Sequence, residues 1–387
     1  MKTIISIAAL TLTAILFATV SCKKSTSNSS TITPSTNTGW SIVGNAGFSA
    51  GEAGFYPVHI SIAIDGGGTP YVAYGDSSNG YQATVMKLNG SSWIPVGNPA
   101  GFSGVEALGT TSIAIDANGT PYVVYVGNAI GGSGAVLMQY NGSSWVSVGA
   151  SADIAFFPAI AIYGTTPYIA YIDGGYVNAA TVMKYSGGTL IPVGNPGFAG
   201  GTVGGGGISL AIDRNGTPYV VYSDVSNNKK ATVMKYNSSS GIWVTVGNAG
   251  FSAGAATGMT IALDSTGTPY VAYEDLANSD KATVMKFNGS NWVGLGNTDF
   301  TAGIAGCLSI AIGKNDTPYV AFGDATNDYK ATAMKFNGSS WVNVGGAGFS
   351  TGHSSSEQIT MSASGVPYVA FQDSAYGHKA TVMKYGN

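Results

Sequence analysis

The feature that most constrains this chain is a unit of about fifty residues repeated seven times, which fills residues 40–387. A start of the Trp-x-x-Val-Gly kind recurs at Trp40, Trp93, Trp145, Leu190, Trp243, Trp292 and Trp341. Each unit carries four short segments of period-two hydrophobicity separated by turn residues. In the first unit these are Ser61–Asp65, Tyr71–Asp76, Ala83–Leu88 and, after Asn89-Gly90-Ser91-Ser92, Trp93–Gly97. Four strands per repeat at this spacing predict the blades of a β-propeller.

The two ends of the array fit each other. The last unit finishes at Ala380–Tyr385 and has no Trp segment of its own, while an unmatched Trp segment opens the array at Trp40–Gly44. The expected fold is therefore all-β, a seven-bladed β-propeller of four-stranded blades. Its ring is closed by the N-terminal Trp40 strand, which completes blade seven. Closure removes the open sheet edges that invite aggregation.

Composition excludes several other classes. Charged residues are 9% of the chain and hydrophobic residues 44%, too apolar and too regular for disorder. All 19 acidic residues follow position 40, whereas Lys2, Lys23 and Lys24 precede it. The repeat region thus carries 13 basic against 19 acidic residues, a net charge of −6, with Arg214 its only arginine. Binding nucleic acid by neutralising phosphates is excluded on that balance.

The N-terminus reads as an address. Lys2 and the apolar run Ile4–Val20 form a secretory signal. It ends in Ala18-Thr19-Val20-Ser21-Cys22, which resembles a bacterial lipobox with Thr19 in place of the usual aliphatic residue. That resemblance implies a signal over 1–22, lipidation of Cys22, and a Ser/Thr/Asn-rich tether over 23–39. The Cys22-Lys23-Lys24-Ser25 start resembles lipoproteins of Bacteroidetes-type bacteria. The implied location is the outer membrane or cell surface of a Gram-negative bacterium, the lipid anchor being the only membrane contact. The repeat itself resembles bacterial secreted β-propeller repeat proteins over 40–387 and, distantly, kelch repeats. The double glycine that ends the kelch second strand is replaced here by Tyr-x-Asp. This resemblance implies a fold and a taste for binding, since propellers host lectins, scaffolds and enzymes alike.

Most repeated residues read as blade construction. The tyrosine after proline (Tyr71 and its six counterparts), the Trp series and the Met series from Met86 to Met383 are needed equally by every blade, as packing is. Asp65, Asp116, Asp213 and Asp264 open D-x-x-G-T-P turns, where a carboxylate bonds nearby backbone amides. Two of these turns hint at a calcium loop but lack its downstream acidic ligands. Asp224/Lys230, Asp275/Lys281, Asp324/Lys330 and Asp373/Lys379 predict opposite charges facing across one hairpin. Gly47-Phe-Ser49-Ala-Gly51 matches the nucleophile elbow of serine hydrolases, but the string recurs around Ser252 and, with Thr351, around Ser350. Repetition in an all-β array makes it a loop-shaping motif. Phenylalanines such as Phe48, Phe102 and Phe349 recur after glycine and are expected to plug the gap between blades.

Function is sought in the asymmetry, in loops that differ between blades. The three histidines, His59, His353 and His378, all fall in blades seven and one if the ring closes as argued. Glu52 and Tyr56 share the loop of His59, and Glu357 follows His353. Such a set could bind a ligand or a divalent metal, or do acid–base chemistry. The expectation is a monomeric surface lipoprotein acting as a binding or adhesion propeller without a cofactor. Polysaccharide is the leading ligand class and a surface protein the next. The alternatives are a polysaccharide lyase or hydrolase with its site in blades seven and one, and a purely structural surface repeat.

Overall fold

The computed structural model describes residues 39–54, 60–97, 101–104, 107, 110–129, 132–199 and 203–386. It contains seven four-stranded antiparallel sheets arranged as a ring. Six blades are continuous in sequence, from blade one (61–95) to blade six (305–343). Blade seven takes three strands from 354–385 and its outer strand from Trp40–Ile42, paired Trp40↔Tyr385 and Ile42↔Met383. The expected closure is thus present. The propeller class follows from the sheets themselves.

Seven buried apolar clusters hold the ring, and each lies in the seam between two neighbouring blades. The repeated Trp ties six of the seven seams. Its indole N–H donates to a carbonyl of the preceding blade, as in Trp93 to Val43 O (2.8 Å) and Trp40 to Val344 O (2.7 Å). The loop phenylalanine lies flat on the same ring, at 4.0–4.5 Å between centroids in six seams. These rings are therefore consumed by the structure, as the repetition predicted. Leu190 replaces Trp in blade three and has no indole to donate.

The serine motif is structural too. Ser252 Oγ donates to Gly254 O (2.6 Å) and accepts from Ala231 N (3.0 Å), pinning the loop to its own blade; Ser49 and Ser350 repeat both bonds. The D-x-x-G-T-P carboxylates behave as expected: Asp116 accepts from Asn118 N and Thr120 N. The Asp/Lys hairpin register is also as predicted, with Asp224 opposite Lys230 and Asp373 opposite Lys379. Those carboxylates, however, turn inward. Asp224 caps a 3-10 turn through Ser226 N and accepts from Thr232 Oγ1 at 3.0 Å. Adjacent amide donors in a buried site outcompete an exposed ammonium.

Candidate functional site

The end of the ring where each outer strand leads into the next inner strand has a common construction. In blades one and three to seven, the second strand ends at an aspartate that caps a short 3-10 turn, such as Ser77–Asn79 or Leu276–Asn278. Two successive left-handed residues then reverse the chain into the third strand, for example Ser279 and Asp280. The inner strands of blades three to seven carry register shifts near this same end, and Gly258, Cys307 and Ser356 sit there with positive φ.

Inside this end lies a cavity of about 360 Å³. One stretch of inner strand from each blade walls it, from 60–62 in blade one to 356–359 in blade seven, with Glu274 added from the second strand of blade five. Three residues of this wall have a buried side-chain oxygen without a hydrogen-bond partner: Thr110 Oγ1, Thr260 Oγ1 and Glu357 Oε2. Buried polar atoms are normally satisfied, so three orphans around one cavity set this wall apart from the apolar seams.

The two glutamates are the chemically distinct part of the wall. Glu357 is 1% exposed and stands where the other blades place Ile60, Thr111, Pro158, Ile208, Met259 and Leu308. Its Oε1 accepts from the Ser354 hydroxyl and packs against Gly323 of blade six. Glu274 is 6% exposed and accepts from Cys307 N at 3.0 Å and from Thr257 Oγ1 at 3.4 Å. A β-carbon at Gly258 would lie 2.7 Å from Glu274 Oε1, and Gly258 has φ +57°, so glycine is required there twice over.

Burial pushes Glu274 up to about 7, further raised by the nearby Asp280 and opposed by the Cys307 amide. Burial likewise raises Glu357 to about 8, with the charge of Glu274 adding to it and the Ser354 hydroxyl opposing. At neutral pH Glu357 is thus held mainly protonated, able to donate a hydrogen bond, while Glu274 stands close to its midpoint.

The residues singled out from sequence are distributed differently. Tyr56 and His59 lie outside the described residues. Glu52 stands beside the turn of blade one, its carbonyl accepting from Ser77 N. His378 is in the left-handed conformation at the end of the blade-seven turn. His353 places Nε2 3.4 Å from Asp328 Oδ2 of blade six, with Nδ1 buried and unpartnered. Among the described residues of the set, Glu357 alone lines the cavity. Among the described residues no three His, Cys, Asp or Glu side chains come together as a metal-binding group. Cys22 lies outside the described residues. Glu274 was missed because its tripeptide, Tyr273-Glu274-Asp275, matches the repeat. The available signal was the middle position, which the other blades fill with Gly75, Val126, Ile172, Ser223, Gly323 and Gln372.

No protein-family model and no curated protein matches the sequence. Solved structures match its fold. A polysaccharide lyase, an ulvan lyase bound to -[GlcA(1-4)Rha3S]-, superposes with a TM-score of 0.55 at 13% identity, over 84% of this chain and 92% of its own. The fucose-specific lectin of Aleuria aurantia gives 0.51 at 17% identity, over 76% and 96%. A protein of unknown function from Dyadobacter fermentans gives 0.52 at 10% identity, over 90% and 98%. At such identities the likeness establishes the propeller fold.

Proposed function

We propose that this chain is a carbohydrate-binding propeller, displayed on the surface of a Gram-negative cell through a lipid at Cys22. The observation that carries the reading is the cavity at the channel end, with its three unsatisfied buried oxygens and two buried glutamates whose carboxyl groups are held far above their ordinary range. Sugars present many hydroxyls that both donate and accept, which is what such a wall lacks. Propellers of the same fold that bind or cleave glycans, the lectin and the ulvan lyase above, support the assignment. In this reading Glu52, His353 and His378 belong to the loops around the mouth, and Glu357 to the cavity wall, while Tyr56 and His59 lie outside the described residues.

A second reading is favoured by one observation. A carboxyl group held protonated near neutral pH, as Glu357 is, is a proton donor of the kind that assists departure of a sugar oxygen. The protein would then be a lyase or hydrolase. The deciding experiment incubates purified residues 39–387 with a polysaccharide panel and measures both retention of the protein and release of new sugar ends. Retention without new ends is the expected result. New ends that vanish in Glu357→Gln would replace binding by catalysis. A blank on both measurements would overturn the glycan reading and turn attention to a protein partner.

A further inference from the structure

One register position of the inner strands, such as Ser61 opposite Ala73 and Ser209 opposite Val221, lines the cavity in every blade. Four blades place serine there, and each hydroxyl accepts from an amide of the next blade. Ser61 accepts from Ile113 N (3.1 Å), Ser112 from Ile160 N (3.4 Å), Ser209 from Ile261 N (3.3 Å) and Ser309 from Ile359 N (3.2 Å). A hydroxyl both accepts and donates. These serines therefore tie neighbouring blades through a lone pair and keep a hydrogen to offer a ligand on the axis.

Two blades that stand across the ring from each other make this layer asymmetric. Blade three has Ala159 at the position and blade seven has Gln358. Two residues before Ala159 is Phe157, the single aromatic among the described residues of the wall. Its counterparts in the following blades are Gly207, Gly258, Cys307 and Ser356, so the fold does not ask for an aromatic ring there. Phe157 packs partly into the seam between blades three and four and is only half-buried where it lines the cavity. One side of the cavity thus offers an apolar ring and the other an amide and hydroxyls.

The shape of the wall limits what can enter. A stretch of inner strand from every blade surrounds the axis, so a ligand arrives only along it. The volume, about 360 Å³, lies at the lower end of the range for small-molecule sites and gives room for one or two sugar rings. The internal stretch of a long chain cannot lie across such a ring. Among the described residues of the wall there is no lysine, arginine or histidine, so an acidic sugar would meet two carboxyl groups and no counter-charge. Resting on the glycan reading, we propose that the cavity receives the end of a neutral chain, one or two sugar units deep. The apolar face of the terminal ring lies on Phe157, and its hydroxyls meet the serine layer and Gln358.

The test titrates the whole propeller with cellohexaose, mannohexaose, xylohexaose and maltohexaose, each beside its own disaccharide, and with an oligogalacturonate and glucosamine. At least one hexaose should bind, and its disaccharide should bind within about tenfold of it, because further units lie outside the cavity. Phe157→Gly and Gln358→Ser install residues that other blades already carry at these positions. Each should weaken hexaose and disaccharide by the same factor, about tenfold. Gln358→Ser restores the serine layer and carries the test even if Phe157→Gly fails to fold. A hexaose whose disaccharide does not bind would overturn end-on entry, since the contacts would then run along a chain. Unchanged affinity in both variants would place the sugar elsewhere and overturn the inference while leaving the glycan reading intact. Binding confined to the oligogalacturonate or to glucosamine would overturn the neutral class. No binding by wild type would overturn the glycan reading and the inference together.

Discussion

Glu357 of blade seven and Gly323 of blade six fit each other across a seam: a β-carbon added to Gly323 would stand 3.1 Å from Glu357 Oε1. Glycine at the middle of Phe322-Gly323-Asp324 makes the space, and a carboxyl group occupies it where other blades bury mainly aliphatic side chains. A buried acid without an ion-pair partner lowers stability unless it stays protonated. Its presence in a seam otherwise built of apolar residues is therefore a cost that packing does not explain.

That cost sets a pH dependence. The folded values of Glu274 and Glu357 lie near 7 and 8, above their ordinary 4.5. Between those limits the folded chain binds more protons than the unfolded chain, so the stability these groups allow is complete below 4.5 and is lost as pH rises to about 8. Melting temperature should fall across pH 5–8 in wild type, and clearly less in Glu274→Gln/Glu357→Gln. Gln372, which fills the counterpart of Glu274 in blade seven, shows that an amide is accommodated there. Parallel pH profiles for the two proteins would show that these carboxyls do not set the trend.

Replacing Glu357 by leucine should raise stability. The substitution restores an apolar seam like that around Leu308 or Ile60, and removing the cost of burying an incompletely satisfied polar group gains about 1–3 kcal/mol. Urea denaturation at pH 8 measures the gain. Glycan retention should fall in the same variant, because one unsatisfied oxygen of the cavity is gone. A variant that is less stable than wild type would mean that the Ser354 contact outweighs the burial of the acid.

Ser252→Ala should cost about 1–2 kcal/mol of stability, since the hydroxyl joins Gly254 O to Ala231 N. It should leave any turnover of polysaccharide unchanged. A fluorophosphonate probe should leave the serine unlabelled, and labelling of Ser252 would revive the nucleophile reading.

Blade number, ring closure and the seam aromatics were legible because they repeat: Trp93 and Phe48 have counterparts in nearly every unit, and shared need means shared packing. The site was less legible because it is made of departures that mimic the pattern. Glu274 sits inside a consensus tripeptide, and Glu357 was grouped with His353 by closeness in chain. In the structure these two part company: Glu357 is buried in the cavity wall, whereas His353 faces Asp328. The aspartates of the hairpins were placed opposite the right lysines, but register does not show which donor a carboxylate prefers. The left-handed position of Phe157 left no trace in composition, because only backbone geometry reveals it.

The N-terminal strand yields the last prediction. Trp40 stacks on Phe349 at 4.1 Å, donates its indole N–H to Val344 O at 2.7 Å, and pairs with Tyr385. It thereby ties blade seven to blade six through the same contacts that Trp243 uses between blades four and three. If closure is as strong as an internal seam, Trp40→Ala should cost about as much as Trp243→Ala, roughly 3–5 kcal/mol for removing a buried tryptophan. A chain beginning at residue 46 should lose more, because the Lys379–Tyr385 strand then becomes an open edge. Denaturant titration compares the two variants, and light scattering follows association of the shortened chain. A Trp40→Ala protein as stable as wild type would mean that the ring is held by the other six seams and that the N-terminal strand only lies against it.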